Sequence, residues 1–172
     1  PPLYLFHQPA ITINVAINLV AEVRVAPQSG RAIRLVASDQ GRQLNWPSRE
    51  KITWARQPFL EMLARLIQSL APDTGLDIQT NCHAPAGAGT GGSSALAVAT
   101  AAALSAVAGR PLNRHTLIEH AKSIETQSIR VPTGYQDYYA AAYGGASSIE
   151  FGLTRIRRIA IAGKAFLTQL ER

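Results

Sequence analysis

Cysteine is almost missing from this sequence. A single residue, Cys82, stands among 172, so neither an internal disulfide framework nor a multi-cysteine zinc site can form, which fits a reducing, cytoplasmic setting. Lysine is scarce as well, with 3 against 14 arginines and 11 acidic residues, for a formal net charge of +6. That excess favours anionic partners such as nucleotides, sugar phosphates, RNA or acidic lipid surfaces, without choosing among them. The densest basic run, Arg155, Arg157 and Arg158, has no interleaved aromatics and reads as a solvated strand edge rather than a nucleic-acid surface. The four histidines lack metal-ligand spacing: His83 follows Cys82 at a strand end, and His115 and His120 fall on a helix without a carboxylate–histidine pattern. No hydrophobic run is long enough to cross a bilayer, which takes about 20 residues; the longest covers 95–108. No signal peptide is recognisable, and no membrane partner is expected. The chain opens at Pro1 without a methionine and closes on FLTQLER, and is expected to be part of a longer protein.

The apolar residues that are present, 47% of the chain, suffice for one buried core. The stretch ITINVAINLVAEVRV, 11–25, alternates apolar with small or polar residues, which suits one long strand or two short ones. A further strand is expected at 32–37, and the breaks PQSGR and SDQGR make 11–46 read as an antiparallel meander. Pro58 can begin a helix in which Phe59, Met62, Leu63, Leu66, Ile67 and Leu70 recur at helical spacing. LDIQTNCHAP follows as a strand stopped by Pro85, and 95–108, apolar on every side, predicts a helix buried all round. Gly109 and Pro111 stop it; Asn113 can cap a helix striped by Leu117, Ile118, Ala121 and Ile124. A short helix through DYYAAAY and strands at ASSIEFG and RIRRIAIA complete a single α+β domain, strands first and then helices packed on one face.

The segment between the Pro85 strand and the buried helix, PAGAGTGGSSA, holds Gly87, Gly89, Gly91 and Gly92 ahead of Ser93 and Ser94. Gly87, Gly89 and Gly92 match a dinucleotide-binding fingerprint by spacing, but that motif needs an acid about 20 residues on at the end of a following strand. GRPLNRH stands there instead and starts a helix. The ATPase phosphate loop fails too, because Gly92 occupies the place of its lysine. Two readings remain open. The loop is an anion site of backbone N–H groups at a helix start, or it is a crowded turn whose serines are caps.

With its neighbours the segment resembles a known family. PAGAGTGGSSALAVATAAAL is similar to the second motif of the GHMP kinases (galactokinase, homoserine kinase, mevalonate kinase, phosphomevalonate kinase), usually Pro-x-x-x-Gly-Leu-Gly-Ser-Ser-Ala. Thr90 replaces the leucine, and one glycine is added. The Gly-Gly-Ser-Ser-Ala form, with GYQDYYAAAYGGASSIEF downstream, resembles the branch of D-glycero-D-manno-heptose 7-phosphate kinases, where Gly-x-Gln-Asp-x-Tyr-Ala-Ala-x-x-Gly-Gly is typical. PPLYLFHQPAITINVAINLVAEVRV is similar to the same branch just after its glycine-rich first motif, so the resemblance covers nearly the whole chain. It implies a fold like the second domain of ribosomal protein S5, with a left-handed βαβ arrangement. It also implies that residues 1–172 are an N-terminal ATP-binding domain lacking the first motif and a C-terminal domain of about one hundred residues or more, so that the chain alone is a poor catalyst.

The resemblance further implies roles. Pro85, Gly87, Ala88, Gly89, Thr90, Gly91, Gly92, Ser93 and Ser94 bind ATP, and Ser93 or Ser94 with Glu125 holds Mg²⁺, a cation that prefers oxygen ligands. Asp137, 12 residues beyond Glu125, handles the proton of a sugar hydroxyl. Thr133, Gly134, Tyr135 and Gln136 lie near the sugar, a heptose 7-phosphate or relative phosphorylated at its anomeric hydroxyl. By spacing alone Glu125 is a solvated helix residue, Asp137 is a helix N-cap, and Tyr138, Tyr139 and Tyr143 are packing residues. Other kinases of the superfamily, acting on fucose, an octose or mevalonate, are the near alternative. A non-catalytic S5-like module binding RNA or protein is the distant one.

Overall fold

A computed structural model describes residues 10–54, 57–85, 87–152 and 155–161. The elements run β1 (Ala10–Val15), β2 (Ala21–Gln28), β3 (Ile33–Ala37), β4 (Arg42–Trp46), α1 (Pro58–Leu70), β5 (Gly75–Cys82), α2 (Gly92–Val107), α3 (Arg114–Ile129), α4 (Gln136–Tyr143), β6 (Ala146–Phe151) and β7 (Ile156–Ala160). The α+β class stands, as does each expected helix.

The sheets depart from the expected meander. Residues 11–25 do form two strands, but these enter different sheets: β1 pairs antiparallel with β6 in a three-stranded sheet ordered β1-β6-β7, and β2 joins a four-stranded sheet ordered β2-β5-β3-β4. Of the meander only the β3–β4 hairpin is made of sheet neighbours. Strand β5 wedges between β2 and β3, antiparallel to the first and parallel to the second. Its alternate residues Leu76, Ile78 and Thr80 are buried, and a strand with that much core-facing surface gains most from a central place. Strand β1 inverts the ordinary pattern: Ile11 and Ile13 are 62% and 69% exposed, while Thr12 and Asn14 are half-buried.

Helices cover one face of the four-stranded sheet. Ile33, Leu35, Leu76 and Ile78 meet Leu63, Leu66 and Ile67 of α1, Leu96 and Leu104 of α2, and Ile118 of α3 in one core. The opposite face is polar, with Arg34 bonded to Asp77 at 2.9 Å. Helix α2 runs through the middle, packed on β2, β5 and the other three helices. Within it only Ser93 and Ala106 are exposed, close to the burial expected from a sequence apolar all round. Helix α3 starts where Asn113 accepts a hydrogen bond from the Thr116 N–H at 2.9 Å, a side-chain cap on one of the free amides of its first turn. These placements aim the N-terminal turns of α2 and α4 and the middle of α3 at one region.

Candidate active site

That region is a cavity of about 530 Å³, within the range of small-molecule sites. One side is the segment 85–94. Gly91 precedes α2 in the left-handed conformation, φ 72°, and a Cβ there would come within 3.1 Å of the Asp137 Cβ. At the next residue a Cβ would lie 3.0 Å from Cys82 Sγ. Side chains are therefore excluded from the loop's junction with the helix by conformation and by close neighbours. The N-cap of α2 is Gly91, which has no side chain to cap it, so among the described residues its leading N–H groups, carrying the positive end of the helix dipole, have no side-chain acceptor. The alternative in which the serines act as caps is thus set aside.

The serine hydroxyls go elsewhere. Ser93 Oγ donates to Glu125 Oε1 at 2.6 Å and Ser94 Oγ donates to Oε2 at 3.0 Å. Tyr138 donates its phenol proton to the same Oε2 at 2.7 Å. Glu125 is 6% exposed and forms no ion pair among the described residues, so a buried carboxylate is satisfied by three neutral donors alone. Its placement overturns the reading of a solvated helix residue. Burial, with the neighbouring carboxylate adding to it, raises the Tyr138 phenol well above its ordinary value and keeps it a donor.

Asp137 stands in the first turn of α4 rather than at its N-cap, which is Tyr135. Solvent reaches it through the cavity, yet the surrounding walls strip enough water to raise its pKa above the ordinary aspartate value, and the Glu125 charge pushes it the same way. Thr133 and Gly134 also line the cavity, Thr133 Oγ1 lying 3.0 Å from Thr126 Oγ1 and 3.3 Å from the Tyr138 hydroxyl.

Of the residues singled out from sequence, Pro85, Gly87, Ala88, Gly89, Thr90, Gly91, Gly92, Ser93, Ser94, Glu125, Thr133, Gly134 and Asp137 all border this one cavity. Tyr135 and Gln136 do not. The Tyr135 hydroxyl donates to Glu119 at 3.0 Å and its ring packs against Phe151 and under Lys122. Gln136 folds its side-chain amide back against Gly134, and its backbone carbonyl accepts from Asn14 Nδ2 at 2.7 Å. Sequence reasoning missed Asp39, Gln40, Phe59, Cys82 and Ala84 as cavity residues and treated Tyr138 only as packing. Nothing local marks the first three, since they arrive from the β3–β4 connection and α1, whereas Cys82 and Ala84 lie just ahead of Pro85 at the end of β5. The basic run does not form one surface: Arg158 packs over the Tyr143 ring at 4.5 Å, and Arg157 lies across from Glu150.

The donor set is all oxygen: two hydroxyls and one carboxylate. No group of three or more His, Cys, Asp or Glu exists among the described residues, so a cation here would share its remaining positions with water or ligand oxygens, as Mg²⁺ commonly does.

Comparison with known proteins agrees with this architecture. No curated protein matches the chain by sequence. A candidate sugar kinase from Campylobacter jejuni superposes with a TM-score of 0.79 at 22% identity, covering 92% of this chain and 52% of that one. A D-glycero-D-manno-heptose 1-phosphate kinase from Bacteriodes thetaiotaomicron gives 0.76 at 24% identity, over 94% of this chain and 54% of that one. The Methanococcus jannaschii mevalonate kinase gives 0.71 at 20% identity, over 90% and 50%. The chain thus spans about half the length of these solved structures and shares their fold. Residues 57–145, more than half of the chain, match the GHMP kinases N terminal domain, and to that family the chain belongs.

Proposed function

We propose that this domain binds ATP and Mg²⁺ for a kinase that transfers the terminal phosphate of ATP to a hydroxyl of a sugar or sugar phosphate, a heptose 7-phosphate at its anomeric position being the specific reading. The observation that carries it is the juxtaposition of Glu125, bonded to Ser93 and Ser94, with Asp137 against Gly91 at the end of a side-chain-poor loop. Phosphoryl transfer needs positioning and charge neutralisation more than covalent help, and these residues offer both.

The segment from Gly87 to Gly92 receives the phosphates on backbone N–H groups at the start of α2. Ser93, Ser94 and Glu125 hold the cation; when bound, Mg²⁺ neutralises phosphate oxygens. Asp137 takes the proton from the attacking hydroxyl, a task its raised pKa favours. Thr133 and Gly134 border the acceptor sugar, and Tyr135 and Gln136 support that segment from behind. Similarity in fold to a candidate sugar kinase and a heptose 1-phosphate kinase supports the sugar class. Catalysis belongs to a protein of the neighbours' full length, and the 172-residue chain by itself is expected to bind ATP with little or no turnover.

The test is product analysis after incubating a catalytically competent form of the protein with Mg²⁺-ATP and a panel of heptose, hexose and octose sugars, free and phosphorylated, together with mevalonate. ADP release and a phosphorylated heptose 7-phosphate are expected. Turnover of mevalonate alone would contradict the sugar assignment.

A further inference from the structure

Glu125 is gripped from two directions. Ser93 and Ser94 reach it from α2, and Tyr138 reaches it from α4. The serines belong to the glycine motif, but position 138 is one that the segment Gly-x-Gln-Asp-x-Tyr leaves open. The tyrosine that this segment does specify, Tyr139, makes no side-chain hydrogen bond among the described residues and stacks on Tyr143 instead.

Packing does not explain the Tyr138 hydroxyl. The side chain is 1% exposed, and a phenylalanine ring would fill the same space without bringing a polar atom that needs a partner. Thr133 stands within 3.3 Å, yet the hydroxyl makes its shorter bond, 2.7 Å, to the carboxylate. Without that bond Glu125 would be held only from the α2 side and its carboxylate could turn about the terminal torsion, which is broad in glutamate. With it, Oε2 is pinned by two donors from different helices, and the first turn of α4, which carries Asp137, is tied to α3.

We propose that Tyr138 is a positioning residue for the divalent cation: its hydroxyl holds Glu125 in the orientation that binds the ion beside Ser93 and Ser94. This rests on the function proposed above, and deepens it by naming what sets the affinity of its cation. Removing a hydrogen-bond partner of a metal-binding side chain typically costs about 10–100-fold in metal affinity.

The experiment titrates the chain with Mn²⁺, following the free ion by electron paramagnetic resonance, for wild type, Tyr138→Phe and Tyr139→Phe. Binding of a non-hydrolysable ATP analogue without metal is measured alongside. Tyr138→Phe should weaken Mn²⁺ binding by about tenfold, Tyr139→Phe should leave it unchanged, and metal-free analogue binding should be the same in all three. Unaltered Mn²⁺ affinity in Tyr138→Phe, or an equal loss of metal-free analogue binding, overturns the proposal. If Tyr138→Phe does not fold, the near-ultraviolet tyrosine difference spectrum on adding Mg²⁺ decides: a signal retained in Tyr139→Phe supports the proposal, and silence in wild type overturns it. Wild type that binds neither Mn²⁺ nor the analogue defeats the functional reading itself, a result distinct from an unaltered Tyr138→Phe.

Discussion

Between Gly87 and Gly92 the cavity is walled by backbone, whereas between Glu125 and Tyr138 it is walled by side chains that hold one another. The first wall is a matter of conformation: Gly87, Gly89 and Gly91 sit at φ 78°, 69° and 72°, where an L side chain is strained, and no ionisable group occurs from 87 to 94. The second is a matter of charge and hydrogen bonding, with buried Glu125 and Tyr138 beside Asp137, which solvent reaches through the cavity. One wall suits a ligand that brings its own negative charge to N–H groups; the other suits a cation and a transferable proton. The contrast divides the ways in which mutation can damage the site.

Chemistry on the second wall should be the most sensitive. In any form of the protein that turns over sugar, Asp137→Asn is expected to lower the rate by about 10²–10⁴-fold, the usual contribution of a positioned base, with ATP affinity unchanged by calorimetry. Equal loss of binding and rate would erase the distinction between the walls.

On the first wall the damage should be conformational. Gly91→Ala is expected to cost about 1–2 kcal/mol of stability by urea unfolding, the penalty for an L-residue in the left-handed region, and to weaken ATP binding because its Cβ crowds Asp137. That penalty should not vary with pH.

The smallest effect separates the walls by pH. Because the folded pKa of Asp137 is raised by burial and by Glu125, the group favours the folded state below its unfolded pKa, and that contribution is lost as pH rises through the folded value. Asp137→Asn should therefore melt at a higher temperature than wild type at neutral pH, with the gap closing in acid. Activity should instead rise with pH through the same raised pKa, since the base must be ionised. A constant melting gap would show that the Asp137 charge is not strained.

Much of this was legible in the sequence where the signal is local. The stripe from Met62 to Ile67 and the Asn113 cap appear as read, because helical spacing and capping depend on neighbours within one or two turns. Pairing was not legible: alternation in 11–25 reports that a strand is half-buried, and not that β1 will pair with residues 146–151 or turn Ile11 and Ile13 outward. Glu125 defeats local reading for the same reason. It lies beside Ile124 at the edge of the α3 stripe, where a charge ordinarily faces water, and only donors from other helices, Ser93 and Ser94 of α2 and Tyr138 of α4, make its burial tolerable. Asp39 and Gln40 reach the cavity from the β3–β4 connection, a juxtaposition that exists only once β3 lies beside β5.

The account stands or falls on whether the two walls act on one ligand. Calorimetric titration of the chain with ATP, with and without Mg²⁺, compared between wild type and Glu125→Gln, tests this directly. ATP should bind wild type more tightly in Mg²⁺ than without it, and bind Glu125→Gln equally in both. Absence of ATP binding, or the same Mg²⁺ dependence in both proteins, would contradict it.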